Sequence, residues 1–364
     1  MKIAFLIKSL QSSAGTERMA TVIANGLVRS AGTEVDVITI HGCTPFFELD
    51  GRIRHFSIVP HKEWSRVMRH FGGYVLKLRR ILKREGYDYV IDVDTVLSLL
   101  SLPAAAGLKT RVVSWEHFNA NVNWGKFSYP LARRMASRLA HRVVVLTQAD
   151  KALYGRRFGA RNAVCIPNPV TVNSSEPSPL AEKRFVAVGR LHPQKGYDML
   201  LDAWASTRCR REGWTLRIVG SGRWEERLGA QIDRLGVADS VEMLPATHEV
   251  EAMFRSASCF VLSSRFEGLP LVLIEAAAMG LPAVSFDCET GPREIIEDAS
   301  TGLLVPPGDV GALAAAMDEM AADGEMRARM GAAALERSRL FSPGAILERW
   351  RALLGGETNK PIVE

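Results

Sequence analysis

The chain has 364 residues, of which 47% are hydrophobic and 24% are charged, and its formal net charge at pH 7 is +6. This length accommodates two domains, and the composition is ordinary for a soluble globular protein. The moderate basic excess suits an anionic ligand or an anionic membrane surface, and no motif supports nucleic acid as a partner.

Cysteine usage and the N-terminal sequence both favour the cytoplasm. The five cysteines are scattered, odd in number and form no Cys-x-x-Cys pair, which argues against a disulfide framework or a zinc site. The opening MKIAFLIKSL is too short to span a membrane and lacks a small-residue cleavage pattern, so it predicts a strand rather than a signal peptide. No run of about 18 apolar residues occurs, so any membrane contact would be peripheral.

The first half of the chain alternates buried apolar runs with helical patterns, which is typical of a doubly wound parallel sheet. Helices are predicted over residues 16–29 and 61–84. Strands are predicted over residues 3–7, 35–40, 54–59, 89–93, 111–114, 142–146 and 163–166.

Two loops in this half carry candidate binding residues. Gly15 lies in a small-residue turn before the first helix, where backbone N–H groups can hold a phosphate, although Thr16 could simply cap that helix. His117 follows the strand at 111–114, at a strand end that is suited to site chemistry. A lone histidine is more often a structural residue, so His117 alone decides nothing.

Two stretches of this half combine aromatic and basic residues, at 61–84 and at 124–142. The first has apolar residues at steps of three and four, with arginines and lysines over much of the remaining surface. One interpretation is a core-facing helix with a solvated basic face. The other is a surface that lies near anionic lipid head groups.

A polar, proline-rich segment around residues 171–179 interrupts the pattern and predicts an interdomain linker. The alternation then resumes, with a final helix from Pro343. Helices are predicted over 197–206, 271–279, 293–297 and 310–339, and strands over 185–188, 216–219, 241–244, 260–262, 283–286 and 302–307.

The loop after the strand at 185–188 reads Gly-Arg-Leu-His-Pro-Gln-Lys-Gly, from Gly189 to Gly196. Arg190 offers a planar fork and Lys195 a point charge, which are the usual means of holding a diphosphate. The alternative is two ordinary surface cations. A Gly-x-Gly after the next strand half-matches a dinucleotide fingerprint, but Glu225 occupies the place of the third glycine, so we reject a nicotinamide dehydrogenase.

The most informative stretch is FVLSSRFEGLPLVLIEAAAMGLPAVSFDCETGPREIIE, residues 260–297. Glu267 and Gly268 lie in a strand-to-helix loop, where backbone and a carboxylate can approach a ligand with many hydroxyls. Glu275 lies on the helix that follows. Either glutamate alone is more simply a solvated carboxylate, but their seven-residue spacing, the strand–loop–helix context and the Gly-Pro-Arg-Glu turn form a long ordered pattern.

This stretch resembles the donor-sugar site of retaining glycosyltransferases of family 4, in the two-domain GT-B class. The string at 189–196 resembles the diphosphate loop of that family, and the Glu-His pair at 116–117 resembles its donor-sugar histidine. The segment at 14–18 resembles the family's Gly-Gly-x-Glu-Arg sequence, with Ala14 in place of the first glycine.

The resemblance implies a fold and a set of roles. The fold would be GT-B, two Rossmann-like doubly wound parallel-sheet domains facing a cleft. The donor, a nucleotide diphosphate sugar with UDP as the expected carrier, would lie on the second domain, and no metal or other cofactor would be required. The catalytic candidates are His117, Glu267, Arg190 and Lys195, and the donor-binding candidates are Gly15, Gly189, Arg190, Lys195, Glu267, Gly268, Leu269, Pro270, Leu271 and Glu275.

We therefore expect a retaining hexosyltransferase that moves a hexose or N-acetylhexosamine to a hydroxyl of a lipid-linked or polysaccharide acceptor in a bacterial glycan pathway. It would be cytoplasmic, with peripheral contact at the inner face of an anionic membrane as an open option. The expected organisation is an acceptor-side domain (1–170), a linker (171–183), a donor domain (184–341) and a C-terminal segment (342–364) whose helix returns to the first domain. The alternatives are a non-catalytic nucleotide-sugar-binding partner subunit, or a sugar-nucleotide epimerase or a phosphorylase on the same fold.

Overall fold

The computed structural model describes residues 1–42, 44–59, 71–123, 125–172 and 176–355. The chain divides into two compact units. The first is Met1–Pro169 together with the segment from Pro343, and the second is Val170–Ser342. Each unit has its own buried apolar core around its own sheet.

The first unit is built on a 7-stranded sheet with the order β3-β2-β1-β4-β5-β6-β7, and all its strand pairs are parallel. Its central strands are buried apolar runs, since helices cover both faces of such a sheet. The strands are β1 (Lys2–Ile7), β2 (Glu34–His41), β3 (Arg54–Val59), β4 (Tyr89–Val93), β5 (Arg111–Trp115), β6 (Arg142–Val145) and β7 (Ala163–Cys165).

The helices that follow these strands are α1 (Gly15–Val28), α2 (Phe71–Glu85), α3 (Ser98–Ala105), α4 (Ser128–Leu139) and α5 (Gln148–Phe158). Residues 61–70 of the helix predicted over 61–84 lie outside the described residues, and so does Trp124 of the second aromatic and basic stretch. Helix α5 was not predicted. Its local signals are Thr147, whose hydroxyl accepts the Asp150 N–H at 3.0 Å, and Gly159, which ends the helix in the left-handed conformation.

The second unit repeats the plan with a 6-stranded sheet of order β10-β9-β8-β11-β12-β13, again parallel throughout. Its strands are β8 (Arg184–Val188), β9 (Thr215–Val219), β10 (Val241–Leu244), β11 (Cys259–Leu262), β12 (Ala283–Phe286) and β13 (Gly302–Val305). Two doubly wound parallel sheets are therefore confirmed, and the predicted strand positions hold to within a residue or two.

The helices of the second unit are α6 (Tyr197–Ser206), α7 (Glu225–Leu235), α8 (Val250–Arg255), α9 (Leu271–Ala278), α10 (Pro292–Ile295), α11 (Val310–Ala322) and α12 (Gly324–Ser338). The single helix predicted over 310–339 was wrong. Asp323 is extended (φ −113°, ψ 100°), and its carboxylate accepts the Met326 N–H at 2.8 Å, so one helix ends there and the next begins.

The last helix, α13 (Pro343–Gly355), belongs to the first unit. The Trp350 ring lies edge-on to the Trp115 ring, with centroids 4.9 Å apart. Leu347 packs against Gly26 of α1 so closely that a methyl group on that glycine would overlap the leucine side chain. The Arg351 guanidinium also donates to the Ser30 hydroxyl at 2.8 Å.

Candidate active site

In the second unit the candidate residues gather where the strand order reverses, between β8 and β11. These two strands pair in parallel, with Phe185 opposite Cys259, so their carboxyl ends lie at the same edge of the sheet. Open α/β sheets bind ligands at such a reversal, in the crevice outside the carboxyl ends. The loop after β8 carries Arg190 and Lys195, and the loop after β11 carries Glu267.

Lys195 and Glu267 form a buried ion pair across these two loops. The ammonium nitrogen lies 2.7 Å from Oε1 of the glutamate, and the two side chains are only 14% and 7% exposed. The Ser264 hydroxyl donates to the same Oε1 at 2.6 Å. The Thr290 hydroxyl donates to the Glu267 carbonyl oxygen at 2.5 Å. A buried carboxylate is stable only with such partners, so the pair is held in a defined place.

The backbone of the two loops is also joined. Arg265 donates its N–H to the Gln194 carbonyl at 2.8 Å, and the Gln194 side-chain amide donates to the Phe266 carbonyl at 3.1 Å. The Ser263 hydroxyl donates to the Lys195 carbonyl at 2.9 Å. Gly196 has a φ of 64° and leaves no room for a Cβ beside the Ser263 carbonyl. The ion pair is thus fixed by main-chain contacts as well as by side chains.

Glycine backbone forms one side of this site. A Cβ on Gly189 would lie 2.9 Å from the Tyr197 hydroxyl and 3.0 Å from Cε of Lys195, so the lysine stem packs closely against this glycine. The Gly-x-Gly that half-matched a dinucleotide fingerprint has a different use. Gly220 packs against the Gly189 carbonyl and Gly222 against Leu191. Because neither glycine has a Cβ, the loop after β8 can lie directly against them.

Arg190 differs from Lys195 in its surroundings. It is exposed, and within the described residues its guanidinium makes no ion pair or side-chain hydrogen bond. Its charge acts on the same loop, because burial, Arg223 and Arg190 together hold the pKa of His192 below its ordinary value. This end of the sheet therefore offers a free cation beside a paired one.

Glu275 lies on α9, and the sequence spacing alone did not show that its side chain is buried. It is only 4% exposed, and its neighbours on the helix, from Leu273 to Ala277, are apolar and buried. The Thr171 hydroxyl donates to its Oε1 at 2.6 Å. The structure thus pairs Lys195 with Glu267, keeps Arg190 on the same loop as the lysine, and places Glu275 on the helix that follows the Glu267 loop.

The remaining donor-binding candidates form the turn into α9. Gly268, Leu269 and Pro270 precede the helix, Leu271 begins it, and no side chain caps it. Gly291, with a φ of 102°, packs against this turn, since a Cβ there would lie 2.7 Å from Pro270 and 2.8 Å from the Gly268 carbonyl. The Gly-Pro-Arg-Glu segment thus shapes the backbone beside Glu267.

The other two candidates, Gly15 and His117, belong to the first unit. Gly15 is the exposed first residue of α1. The His117 ring packs on the Trp115 ring, with centroids 4.4 Å apart, and burial lowers the pKa of His117 to about 3. Glu116 before it is fully buried and accepts hydrogen bonds from Arg133 at 2.7 Å and from Tyr154 at 2.6 Å.

Several polar residues were not assigned a role from the sequence. In the second unit these are the hydroxyls of Ser264, Thr290 and Thr171, and only Ser264 lies within a few residues of the glutamate that it contacts. In the first unit Asp94 follows β4 with a φ of 94°, which is costly for a residue with a Cβ. Burial first, and then Glu116, raise the pKa of Asp94 to about 7.

Two findings concern what the described residues do not contain. Among residues 1–42, 44–59, 71–123, 125–172 and 176–355, no group of three or more His, Cys, Asp or Glu side chains is placed to hold a metal ion. Within the same part of the chain, no helix has the length and apolar character needed to cross a membrane.

Two parallel α/β units of this kind make up the GT-B fold, and comparison with solved structures supports that fold. Anabaena HepE in complex with UDP superimposes with a TM-score of 0.80 at 21% identity, covering 98% of this chain and 100% of that one.

Sequence comparison gives the family. Residues 13–174 match Glycosyltransferase Family 4, and residues 172–337 match Glycosyl transferases group 1. An uncharacterized glycosyltransferase of Haemophilus influenzae is 32% identical over 358 residues, which are 97% of this chain and 99% of the relative. A second relative is the Campylobacter jejuni enzyme named GalNAc-alpha-(1->4)-GalNAc-alpha-(1->3)-diNAcBac-PP-undecaprenol alpha-1,4-N-acetyl-D-galactosaminyltransferase. It is 29% identical over 370 residues, with 99% of each chain covered. The chain belongs to glycosyltransferase family 4 and is a hexosyltransferase that uses a nucleotide-sugar donor.

Proposed function

We propose that this enzyme is a retaining glycosyltransferase that transfers a hexose or N-acetylhexosamine from a UDP-sugar to a hydroxyl of a lipid-linked or polysaccharide acceptor. The observation that carries the proposal is the Lys195–Glu267 ion pair, which lies at the strand-order reversal with the exposed Arg190 on the same loop. A diphosphate needs cations, and a sugar needs a fixed carboxylate beside open backbone. This edge of the sheet offers both.

Seven of the eleven candidates have a specific role in this proposal. Arg190 and Lys195 neutralise the diphosphate as it leaves, while Glu267 and the Gly268 backbone bind hydroxyls of the transferred sugar. Glu275 accepts hydrogen bonds from the ribose. His117 of the first unit contributes a contact to the donor sugar, and Gly15 contributes backbone donors at the start of α1.

The chemistry follows from how Glu267 is held. Its Oε1 already accepts from Lys195 and from Ser264, so the carboxylate is suited to orienting sugar hydroxyls rather than to attacking carbon. The acceptor oxygen would therefore form its bond to the anomeric carbon on the face from which the diphosphate leaves. The acceptor proton passes to the departing phosphate oxygen, and the configuration is retained. Charge stabilisation by Arg190 and Lys195 supplies most of the catalysis.

The choice of donor and acceptor rests on similarity. The HepE structure contains UDP, and the Campylobacter relative is named for transfer of N-acetylgalactosamine to a glycan carried on undecaprenol diphosphate. The first supports a UDP-linked sugar as donor for this chain, and the second supports a lipid-linked glycan as acceptor. Its net charge of +6 is in keeping with an anionic donor and an anionic acceptor carrier.

The test is a thermal-shift titration with UDP, GDP and ADP, followed by the matching sugar nucleotides. A nucleotide that binds the folded state raises the melting temperature by mass action. We expect UDP to give the largest shift, and Arg190→Ala and Glu275→Ala to reduce it. Transfer to a lipid-linked acceptor, with the anomeric configuration of the product read by NMR, tests retention. No shift with any nucleotide in well-folded protein would refute the donor site.

Peripheral membrane contact is part of the same proposal. Helix α4 and the residue before it expose Phe127, Leu131 and Leu139, at 76%, 40% and 65% exposure, beside exposed arginines. Apolar and cationic side chains together suit an anionic bilayer surface. Co-sedimentation with phosphatidylglycerol vesicles, and its loss in Phe127→Ser/Leu131→Ser, would support this contact. Equal binding to neutral phosphatidylcholine vesicles would contradict the electrostatic part.

A further inference from the structure

Thr171 contacts the candidate ribose carboxylate from a distant part of the chain. Its hydroxyl donates to Oε1 of Glu275 at 2.6 Å, although 104 positions separate the two residues. A hydrogen bond from a neutral donor to an ionised carboxylate is among the stronger kinds in proteins. The contact therefore constrains how the Glu275 carboxylate can rotate.

The position of Thr171 is itself fixed by the backbone. The preceding residue, Val170, donates its N–H to the Phe341 carbonyl at 2.8 Å, so the chain is held where it enters the second unit. A threonine has a stiff, β-branched side chain with few rotamers. A hydroxyl on such a side chain, at a tethered backbone position, provides a donor with little freedom to move.

The surroundings of Glu275 make this donor important. The carboxylate lies on an apolar helix and is only 4% exposed, so its charge needs hydrogen-bond donors. A carboxylate accepts about four hydrogen bonds in total. The contact with Thr171 uses one acceptor position on Oε1 and restricts rotation of the carboxylate, whose plane decides where the acceptors of Oε2 point.

We propose that Thr171 is a positioning residue for recognition of the donor's ribose, acting through Glu275. It orients the carboxylate so that the 2′- and 3′-hydroxyls of a ribonucleoside diphosphate meet its acceptors together. The enzyme then discriminates ribose from deoxyribose. This inference rests on the proposed function, in which Glu275 binds the ribose.

The experiment measures the dissociation constants of UDP and 2′-deoxy-UDP by calorimetry, in wild type and in variants. If the thermal-shift titration favours guanosine, GDP and 2′-deoxy-GDP replace them. Thr171→Val keeps the shape and removes the hydroxyl, and Thr171→Ser restores it. We expect the valine variant to reduce the preference for the ribonucleotide about 10-fold, and the serine variant to retain most of it. A merely structural role would weaken both ligands equally and leave their ratio unchanged.

Two further variants separate the possible failures. Ser264→Ala is the matched control, because it removes a hydroxyl that donates to the other glutamate at the same distance of 2.6 Å. It should leave the ribose preference intact. Glu275→Ala should abolish the preference altogether. If it does not, the ribose assignment of the proposed function fails. If Glu275→Ala abolishes the preference while Thr171→Val leaves it unchanged, only the role of Thr171 is overturned.

Thr171→Ala provides a second deletion of the hydroxyl, in case valine perturbs the segment. Thermal unfolding of each variant without ligand identifies such a perturbation. A reduced preference in Thr171→Ala with rescue in Thr171→Ser supports the inference, and an unchanged preference in Thr171→Ala overturns it.

Discussion

At the scale of single residues, the Lys195–Glu267 pair joins stability to function. Both side chains are largely buried, so each charge depends on the other and on Ser264 for its solvation. Loss of one partner leaves an unpaired buried charge, whereas loss of both charges leaves neutral groups of similar volume. Comparing a single with a double substitution therefore separates the contribution of the pair to stability from its contribution to catalysis.

Lys195→Met should destabilise the protein and stop turnover, and adding Glu267→Gln should restore stability without restoring turnover. We expect the single variant to lose about 3 kcal/mol of unfolding free energy, because the Glu267 carboxylate is left without its cation. The double variant removes that carboxylate and recovers most of the loss. Chemical unfolding and single-turnover transfer assays provide the two readouts.

The result against this view would be a double variant that transfers sugar at the wild-type rate. The pair would then serve folding alone, and the charges that stabilise the leaving diphosphate would lie elsewhere. Arg190→Met is the useful companion. Arg190 is exposed, so its loss should lower turnover with almost no change in stability.

At the scale of secondary-structure elements, Gly196 determines how the loop after β8 meets the end of β11. It ends the short 3-10 turn Pro193–Lys195 in the left-handed conformation and precedes α6. A Cβ at this position would overlap the Ser263 carbonyl and lie 2.7 Å from Cε of Met199. The loop that carries Lys195 can therefore approach β11 only if this residue is glycine.

Gly196→Ala should weaken nucleotide binding at least 10-fold and destabilise the protein by about 3 kcal/mol, since strain and steric overlap add. Gly213→Ala is the matched control. Gly213 has a φ of 84°, but no atom lies within 4 Å of its added Cβ, so only the conformational cost of about 1 kcal/mol should appear. Urea unfolding and UDP titration of both variants test this. Equal effects in the two would show that the overlap with Ser263 is relieved without moving the loop.

The elements also show why some predictions succeeded. The strands could be predicted because each is a short, continuous, buried apolar run, as in any parallel sheet covered on both faces. The break between α11 and α12 was missed because the sequence on both sides is equally helical. There a single capping contact, from the Asp323 carboxylate to the Met326 N–H, decides the boundary. Such a contact is local, but the hydrophobic periodicity of the sequence does not show it.

At the scale of the whole molecule, the order of the strands determines which residues meet. Lys195 and Glu267 are 72 positions apart and become neighbours only because β8 and β11 are adjacent in the sheet. The resemblance to the family motif leads us to expect that both residues bind the donor, and this stays a prediction. The motif could not predict that they pair with each other, or that Thr290 and Thr171 contact the two glutamates, because no local pattern specifies contacts between residues so far apart in the sequence.

The division into two units leads to a prediction about His117. This residue belongs to the first unit, whereas Arg190, Lys195 and Glu275 belong to the second. His117→Ala should therefore leave the affinity for UDP within about twofold of wild type, while turnover with the UDP-sugar falls at least 10-fold. Calorimetry with UDP and steady-state kinetics test the two halves. A large loss of UDP affinity would mean that the nucleotide itself depends on the first unit.

The same residue has a pH signature, because burial lowers the pKa of His117 to about 3 from an ordinary value of 6.5. The folded state then keeps the ring neutral while the unfolded state takes up a proton below about pH 6.5. The lowered pKa therefore has no effect on the free energy of unfolding above pH 6.5, and it reduces that free energy progressively as the pH falls towards 3. Wild type should therefore lose about 2 kcal/mol of unfolding free energy between pH 7.5 and pH 5 through this residue, and His117→Ala should not show this loss. Unfolding of wild type and variant at pH 5 and pH 7.5 measures this. Buried carboxyls such as Asp94 are present in both proteins and largely cancel in the comparison.

Because the ring stays neutral, His117 should also give no limb to the pH profile of turnover between about pH 5 and 8, which fits a hydrogen-bonding contact rather than proton transfer.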